Sequence, residues 1–588
     1  MRQLFGKRTI LSVATLAALS AGAAQAQQGD PLYRYQWHLM NYGQAVLGDT
    51  KPTFAVDLGI DDLHDYNIRG KGVVVGVLDE GVDIHHADLA ANVVPNGSKN
   101  FDPGRPEHDP TPTTPDYGHG TSVAGIIAAV GWNGIGVRGV APSARLKSFN
   151  GFGDVSTSLS EDKIFYAWWN GAEAQDVDIS SNSWGVGSGS PQTFSENQVD
   201  AYEKPMAAAR NGRGRVYVKA AGNNNLQRDS FFGRIKCAQA ILDANVGCVQ
   251  TGLDPRNNLF GVMTIASVDA TGKRAVYSSA GSALWVSGLG GEFGGERAVL
   301  SEATRTRLAE TFGDAAIVSP AIVTTDPSGC AMGYNREDAE AFNRLDHAAS
   351  AIDASCDYNG TMSGTSAAAP TVSGVAALVL QANPKLGARE VKYILATTAR
   401  QVDKDQPDVK HANGTLLVPG WRKNAAGHFF SNWYGFGLVD ATAAVELAGR
   451  VKSLPALVDS GWQRVAPAQA VAIGGAGAPA KLQIAIDRDI GKIEGVQLGL
   501  ATNYSSSSNT PFPLQIVLVS PKGTRSTIVP AMTSVSSSAF KLDFAASNAF
   551  LDEPAKGTWT LEIADVPLAA NAAAKGKLNS FKIRVLGH

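Results

Sequence analysis

The sequence predicts an α/β protein: a doubly wound, mostly parallel sheet covered by helices, followed by an all-β domain of jelly-roll type. Three observations lead there. Between about residues 70 and 450, short runs rich in Val and Ile alternate with helical stretches. Their hydrophobicity is continuous rather than alternating, the mark of strands buried on both faces of a parallel sheet. Near residue 450 the chain turns rich in Ala, Pro and Gly, and the strand-like runs beyond it are separated by turn signals, with no helical pattern.

Taken in order, the chain opens on Arg2, Lys7 and Arg8, then the apolar "TILSVATLAALSAGAA", then "AQA" at Ala24–Ala26. This is the pattern of a secretory signal over residues 1–26. Its apolar run is shorter than the ~18 residues a membrane anchor needs, and no later run reaches that length. A secreted or periplasmic chain without a membrane anchor, starting near Gln27, is therefore expected. The first domain is placed at 27–450, with strands in "GVVVGVLD" (72–79), "DVDISSNSWG" (176–185), "GRVYVKAAGN" (214–223) and "GVMTIASVD" (261–269). Its helices are expected in "SVAGIIAAV" (122–130) and "TVSGVAALVLQA" (371–382). Residues 451–480 read as a linker. Residues 481–588 read as a β-sandwich, with strands in "IEGVQLGLAT", "PLQIVLVS", "STIVPAM", "GTWTLEIAD" and "FKIRVLG".

At 588 residues the chain is too long for one core, and 44% hydrophobic with 18% charged residues suits a globular protein. A formal net charge of −3 and the lack of a long basic run argue against a nucleic-acid partner. Four cysteines, none at zinc-site spacing, suggest disulfides in an exported chain. Of the three possible pairings, Cys237–Cys248 and Cys330–Cys356 are favoured, each stapling a loop between core segments.

Four polar residues stand where strands end or helices begin. Asp79 closes "GVVVGVLD", and His119 precedes the apolar stretch of "DYGHGTSVAGIIAAV". Asn223 follows a strand in "VKAAGNNN". Ser366, in "SGTSAAAP", stands at a helix start, with Pro370 expected in the first turn. Each alone is a common cap or turn residue. Together they supply the four roles of acyl transfer. A serine hydroxyl is a weak nucleophile and needs a base within reach, here His119. Asp79 would orient the imidazole and stabilise its cation. The Asn223 amide and the Ser366 N–H, at a helix N-terminus, would donate to the developing oxyanion.

At these residues the sequence resembles the subtilase superfamily of serine proteases, through "VLDEGVDIHHADL", "HGTSVAGIIAA", "SNSWG", "AAGN" and "GTSAAAPTVSGVAAL". More narrowly it resembles the kexin/furin group and its bacterial members. "DPLYRYQWHL", Glu80 directly after Asp79, and "SNWYGFGLVDATAAVELA" before a β domain similar to that group's P domain carry this likeness. The resemblance implies a subtilisin-like catalytic domain and cleavage of protein or peptide substrates after basic residues. Residues 289–355 are longer than the group's equivalent and read as an insertion beside the active site.

The resemblance also implies roles for further residues. The substrate strand would pair with the backbone of Ser183, Trp184 and Gly185. Glu80 and Asp116 match acids that face a basic P2 side chain, and Asp254 matches an acid that binds P1 Arg or Lys. A calcium ion is implied between Asp30, Asp88, Asn133 and the carbonyls of Val130, Ile135 and Val137, a hard-oxygen set. A second ion beside Asp102 and Asp109 lacks a third acid, Thr111 standing in its place. The calcium beneath P1 would need Asp229, with Ser188 and Ser279 replacing its other acids. Only about 50 residues separate Ala26 from Asp79, too few for a folded prosegment, so a separately encoded folding chaperone or inhibitor is expected. Two rivals stand beside this reading: a subtilase of broad specificity, and a non-catalytic binding protein on a protease scaffold.

Overall fold

The computed structural model describes residues 29–153, 158–185, 187, 189–226, 237–507, 510–566 and 576–588. The expected signal, residues 1–26, lies outside the described residues. Six strands form one parallel sheet: β1 (Val74–Leu78), β2 (Arg145–Phe149), β3 (Ile179–Asn182), β4 (Val216–Ala220), β5 (Val262–Val268) and β6 (Leu284–Leu289). Their spatial order is β2-β1-β3-β4-β5-β6. Order reverses at β1, so a crevice opens beyond the carboxyl ends of β1 and β3. All of β3, β4, β5 and β6 is buried, including the polar Ser180, Ser181 and Asn182 of β3 and Lys219 of β4, as strands covered on both faces are.

Two helices define the centre. Helix α1 (His119–Ala128) is buried along every residue after His119. Against the expectation that no later run is long enough, helix α2 (Thr365–Ala382) is long and apolar enough to cross a bilayer, yet it packs against β3, β4, β5 and β6 as the core of the domain. A helix apolar all round must be enclosed, and both are. Gly288 of β6 permits the close approach, because a Cβ there would lie 2.2 Å from the Ala368 carbonyl oxygen.

The segment 289–355 is folded against this core. Phe293, Leu300, Leu308, Phe312 and Ile317 bury themselves with Tyr277. Strand β7 (Ile322–Thr325) pairs antiparallel with β8 (Tyr358–Met362), which leads into α2. The Cys330–Cys356 disulfide closes the loop between them, and Cys237–Cys248 is the other bridge, with Cα–Cα distances of 5.0 and 6.1 Å.

The β domain is a sandwich of two antiparallel sheets. One contains Ile493–Thr502, Lys541–Ser547 and Lys577–Gly587; the other contains Ala480–Ile486, Leu514–Val519, Arg525–Val529 and Gly557–Asp565. Leu482, Leu498, Ile516, Trp559 and Phe581 fill the space between them. The stretch read as a linker departs from expectation. Val458–Asp459, Gln463–Val465 and Val471–Ala472 all pair with Lys577–Gly587, so much of it is sheet edge. The sandwich docks on the first domain through an Arg389–Glu494 ion pair. The Asn548 amide also donates to the Ala283 carbonyl at 2.9 Å, and the Ala546 N–H to Asn258 Oδ1 at 3.0 Å.

Candidate active site

The four residues picked from sequence stand around the crevice. Asp79 directly follows β1, Asn223 follows β4, His119 opens α1 and Ser366 is the second residue of α2. His119 Nδ1 lies 2.7 Å from Asp79 Oδ1, which also accepts the Glu80 N–H at 2.9 Å. The imidazole is thus tied by one nitrogen and leaves Nε2 for a reacting group. Burial opposes its charge, but the charge and hydrogen bond of Asp79, with the charge of Glu80, carry His119 up to about 9. Burial pushes Glu80 up to about 7, against the pull of His119 and with the repulsion of Asp79 and Asp116.

Ser366 is held by an exchange with Ser183 at the end of β3. Its Oγ donates to the Ser183 carbonyl at 3.1 Å, and Ser183 Oγ donates to the Ser366 carbonyl at 2.9 Å. The second bond has a cause in the sequence. Pro370 is the sixth helical residue, not a first-turn residue as expected, and it has no N–H to give the Ser366 carbonyl. That carbonyl is free for Ser183. Among the described residues no hydrogen bond joins Ser366 Oγ to His119; the hydroxyl is turned to Ser183 instead.

Two donors frame a small space beside Ser366. Asn223 Oδ1 accepts from the N–H and the hydroxyl of Thr365, both at 2.9 Å, which turns its Nδ2 outward. A Cβ on Gly364 would sit 2.9 Å from Asn223 Nδ2 and 3.4 Å from the Ser366 nitrogen. Gly364 has φ +93°, a conformation open to glycine. The absent side chain leaves a site of oxyanion size between the two donors.

The profile of the Subtilase family matches residues 70–437. The chain belongs to the subtilase family. Residues 494–585 match the Proprotein convertase P-domain, so this subtilase is a kexin-like serine protease with a P domain. It is 36% identical to the Aeromonas extracellular serine protease of Aeromonas sobria, over 95% of this chain and 91% of that one. It is 26% identical to rat proprotein convertase subtilisin/kexin type 4, over 90% of this chain and 64% of that protein. The crystal structure of the Aeromonas sobria protease superposes with a TM-score of 0.82 at 34% identity, covering 95% of this chain and 96% of that one. That protease has also been crystallised in complex with a chaperone, and the match there has the same score and identity.

The expected specificity residues are present but not free. Asp254 lines, with Ser183, Trp184, Gly185, Asn223 and Ser366, a cavity of about 140 Å³. Its Oδ2 is 2.9 Å from Lys219 Nζ, and both side chains are buried. Glu80 Oε2 accepts the His119 N–H at 3.3 Å. Asp116 is exposed and pairs with Arg336 of the 289–355 segment at 2.6 Å. That segment also packs behind the start of α1, where a Cβ on Gly118 would meet Asp326 Oδ1 at 2.7 Å and the Gly333 Cα at 3.2 Å. Sequence reading missed Lys219, Arg336 and Gly364. Lys219 had a signal, being the lone charge inside the buried run "VYVKAAG".

The expected calcium ligands do converge. Asn133 Nδ2 donates to Asp88 Oδ1 at 2.7 Å, the Val137 N–H to Asp88 Oδ2 at 2.9 Å, and the Asn133 N–H to Asp30 Oδ1 at 3.2 Å. Among the described residues the carbonyls of Val130, Ile135 and Val137 accept no backbone hydrogen bond. Burial, with the nearby charge of Asp30, pushes Asp88 up to about 7. Two carboxylates, an amide and unclaimed carbonyls form a donor set that fits a hard divalent cation, although Arg138 already neutralises Asp30 at 2.8 Å. Among the described residues no three His, Cys, Asp or Glu side chains meet in a metal-sized group. Asp102 and Asp109 have separate partners, Arg105 and Asn150 for one and His85 for the other. For the ion beneath P1, Asp229 and Ser188 lie outside the described residues, while Ser279 Oγ accepts the Asn224 N–H at 3.0 Å.

Proposed function

We propose that this subtilase is an exported, calcium-binding serine endopeptidase that cleaves after basic residues, with Asp79, His119 and Ser366 as its triad. The observation that carries the triad is the Asp79–His119 bond placed beside a serine whose oxyanion space is framed by Asn223 and the Ser366 N–H. The substrate strand lies along Ser183, Trp184 and Gly185. Among the described residues Trp184 and Gly185 make no backbone hydrogen bond, which leaves them free to pair. His119 Nε2 takes the Ser366 proton as Oγ bonds to the scissile carbonyl carbon. Asn223 Nδ2 and the Ser366 N–H hold the oxyanion, and the imidazolium, steadied by Asp79, protonates the leaving amine. Water then attacks the acyl group by the same route in reverse.

Asp254 would meet the P1 side chain, and Glu80 with Asp116 the P2 side chain. A second reading, broad specificity, is favoured by one observation: Asp254 and Asp116 are each already paired with a cation of the chain. A calcium ion held by Asp30, Asp88, Asn133 and the carbonyls of Val130, Ile135 and Val137 would fasten the N-terminal segment to the loop after α1. The signal-like first 26 residues and the extracellular relative support export. The relative crystallised with a chaperone supports a separately encoded folding partner for this chain too. Fluorophosphonate labelling that disappears in Ser366→Ala tests the nucleophile. Cleavage-site profiling in a peptide library separates the two specificity readings, since scattered P1 residues would refute the basic preference. Export with and without a candidate partner tests the chaperone, and a full yield of active enzyme alone would refute it.

A further inference from the structure

Asp254 sits at the floor of the cavity that also holds Ser366, and its charge is not alone there. Lys219, on β4, reaches up from the sheet, and its ammonium lies 2.9 Å from Asp254 Oδ2. The lysine side chain has no exposure and the aspartate 3%. Asp254 Oδ1 meanwhile caps the next turn by accepting the Arg256 N–H at 3.0 Å. The pair lies directly under the Ser183–Gly185 segment, since a Cβ on Gly185 would meet Lys219 Nζ at 3.2 Å and Asp254 Oδ2 at 3.4 Å. The ammonium also faces the Trp184 ring, 5.1 Å from its centroid. Lys219 itself is not among the residues lining the cavity; it stands behind the carboxylate.

A buried pair of this kind has no net charge, and desolvation makes a second cation costly unless the first gives way. We propose that Lys219 is a specificity-determining residue, which cancels the charge of Asp254 beneath Gly185 and so holds the preference for P1 arginine or lysine well below what the carboxylate alone would confer. The proposal rests on the reading of Asp254 as the P1 floor. Under it, P1 side chains are ranked by fit and hydrogen bonding within the cavity as well as by charge. Burial lowers the proton affinity of Lys219 against the pull of Asp254, the direction in which a competing P1 cation would push it further.

The test is the ratio of kcat/KM for P1 Arg to that for P1 Leu in otherwise identical peptides. It is measured on the full-length wild type, Lys219→Met, Lys219→Gln and Asp254→Asn. Lys219→Gln keeps a neutral hydrogen bond to the carboxylate and so guards against a methionine variant that fails to fold; a melting curve checks both. A charge-assisted contact freed from competition corresponds to about a tenfold to hundredfold change, so the ratio is expected to rise by that factor in both lysine variants and to fall in Asp254→Asn. An unchanged ratio in folded Lys219 variants, with Asp254→Asn still lowering it, overturns the role of Lys219 and leaves the P1 floor intact. A ratio that ignores Asp254→Asn as well overturns both. Equal losses for every P1 residue in the Lys219 variants mark it as purely structural and overturn the proposal.

Discussion

Replacing Gly364 by alanine places one methyl group where the reaction needs empty space. Its Cβ would lie 2.9 Å from Asn223 Nδ2 and 3.4 Å from the Ser366 nitrogen. An oxyanion held by the same donors needs about 2.7–3.1 Å from each. The methyl and the oxyanion therefore compete for one position. Losing a single oxyanion donor costs about 10²–10³ in kcat, or about 2.7–4 kcal/mol of barrier. Gly364→Ala should reach at least that loss with KM little changed, because the ground-state carbonyl makes weaker demands on the site. Alanine at φ +93° also adds strain of about 1–3 kcal/mol, visible as a lower Tm. The assay is kcat and KM on a chromogenic peptide for Gly364→Ala, Asn223→Ala and the double variant, each confirmed folded by its melting curve. If both changes act on one oxyanion, the double variant loses little beyond the worse single. Near wild-type turnover in folded Gly364→Ala, or losses that multiply in full, would refute the reasoning.

Other expectations follow from the same geometry. Ser366→Ala, His119→Ala and Asp79→Asn should each cost about 10⁴–10⁶ in kcat, read by steady-state hydrolysis; a Ser366→Ala protein cleaving at the wild-type rate would end the triad. The acid limb of kcat/KM follows loss of the His119 proton, and with His119 held up to about 9 the activity should climb from neutral pH toward that value. Glu80→Gln removes one negative charge that helps hold the proton, so the limb should move to lower pH; a limb that stays put detaches Glu80 from His119. Calcium should raise Tm, by the equivalent of about 2.7 kcal/mol at a hundredfold excess over Kd, and Asp88→Asn should remove most of the rise. With Asp88 held up to about 7, protons compete with the ion below that pH, so the rise should shrink on acidification. A Tm indifferent to a chelator speaks against the site.

What could be read from the sequence was what leaves a local pattern. β1 and β5 sit in Val- and Ile-rich runs, β4 in a run interrupted only by Lys219, and β3 beside Val177 and Ile179, so each left a local signal. β2 did not, because Arg145 and Lys147 break its run; Lys147 is buried only because Asp176 and the Glu173 carbonyl receive its ammonium. Gln463–Val465 reads as linker in sequence, since an edge strand beside Lys577–Gly587 needs no apolar alternation of its own. Asp79, His119, Asn223 and Ser366 were legible because strand ends and helix starts are marked locally. The partners of Asp254 and Asp116 were not. Arg336 meets Asp116 from 220 positions along the chain, through an insertion whose path only tertiary packing decides. The exchange between Ser183 and Ser366 was hidden in the same way, although Pro370 announced a carbonyl without its helical donor.

The 3₁₀ turn Pro255–Asn258 joins the two domains at a sensitive place. Asp254 caps its start, and at its end Asn258 Oδ1 receives the N–H of Ala546, 288 residues later in the chain. Ribosomes make the protein from its N-terminus at about 5–20 residues per second, so the floor of the pocket waits roughly 15–60 s for the strand that completes its support. For the later part of that interval Ser366 is already synthesised, but the turn that Asp254 caps still lacks the brace from Ala546. The order of translation thereby becomes an order of completion: the turn that carries Asp254 is finished only when the last domain docks on it.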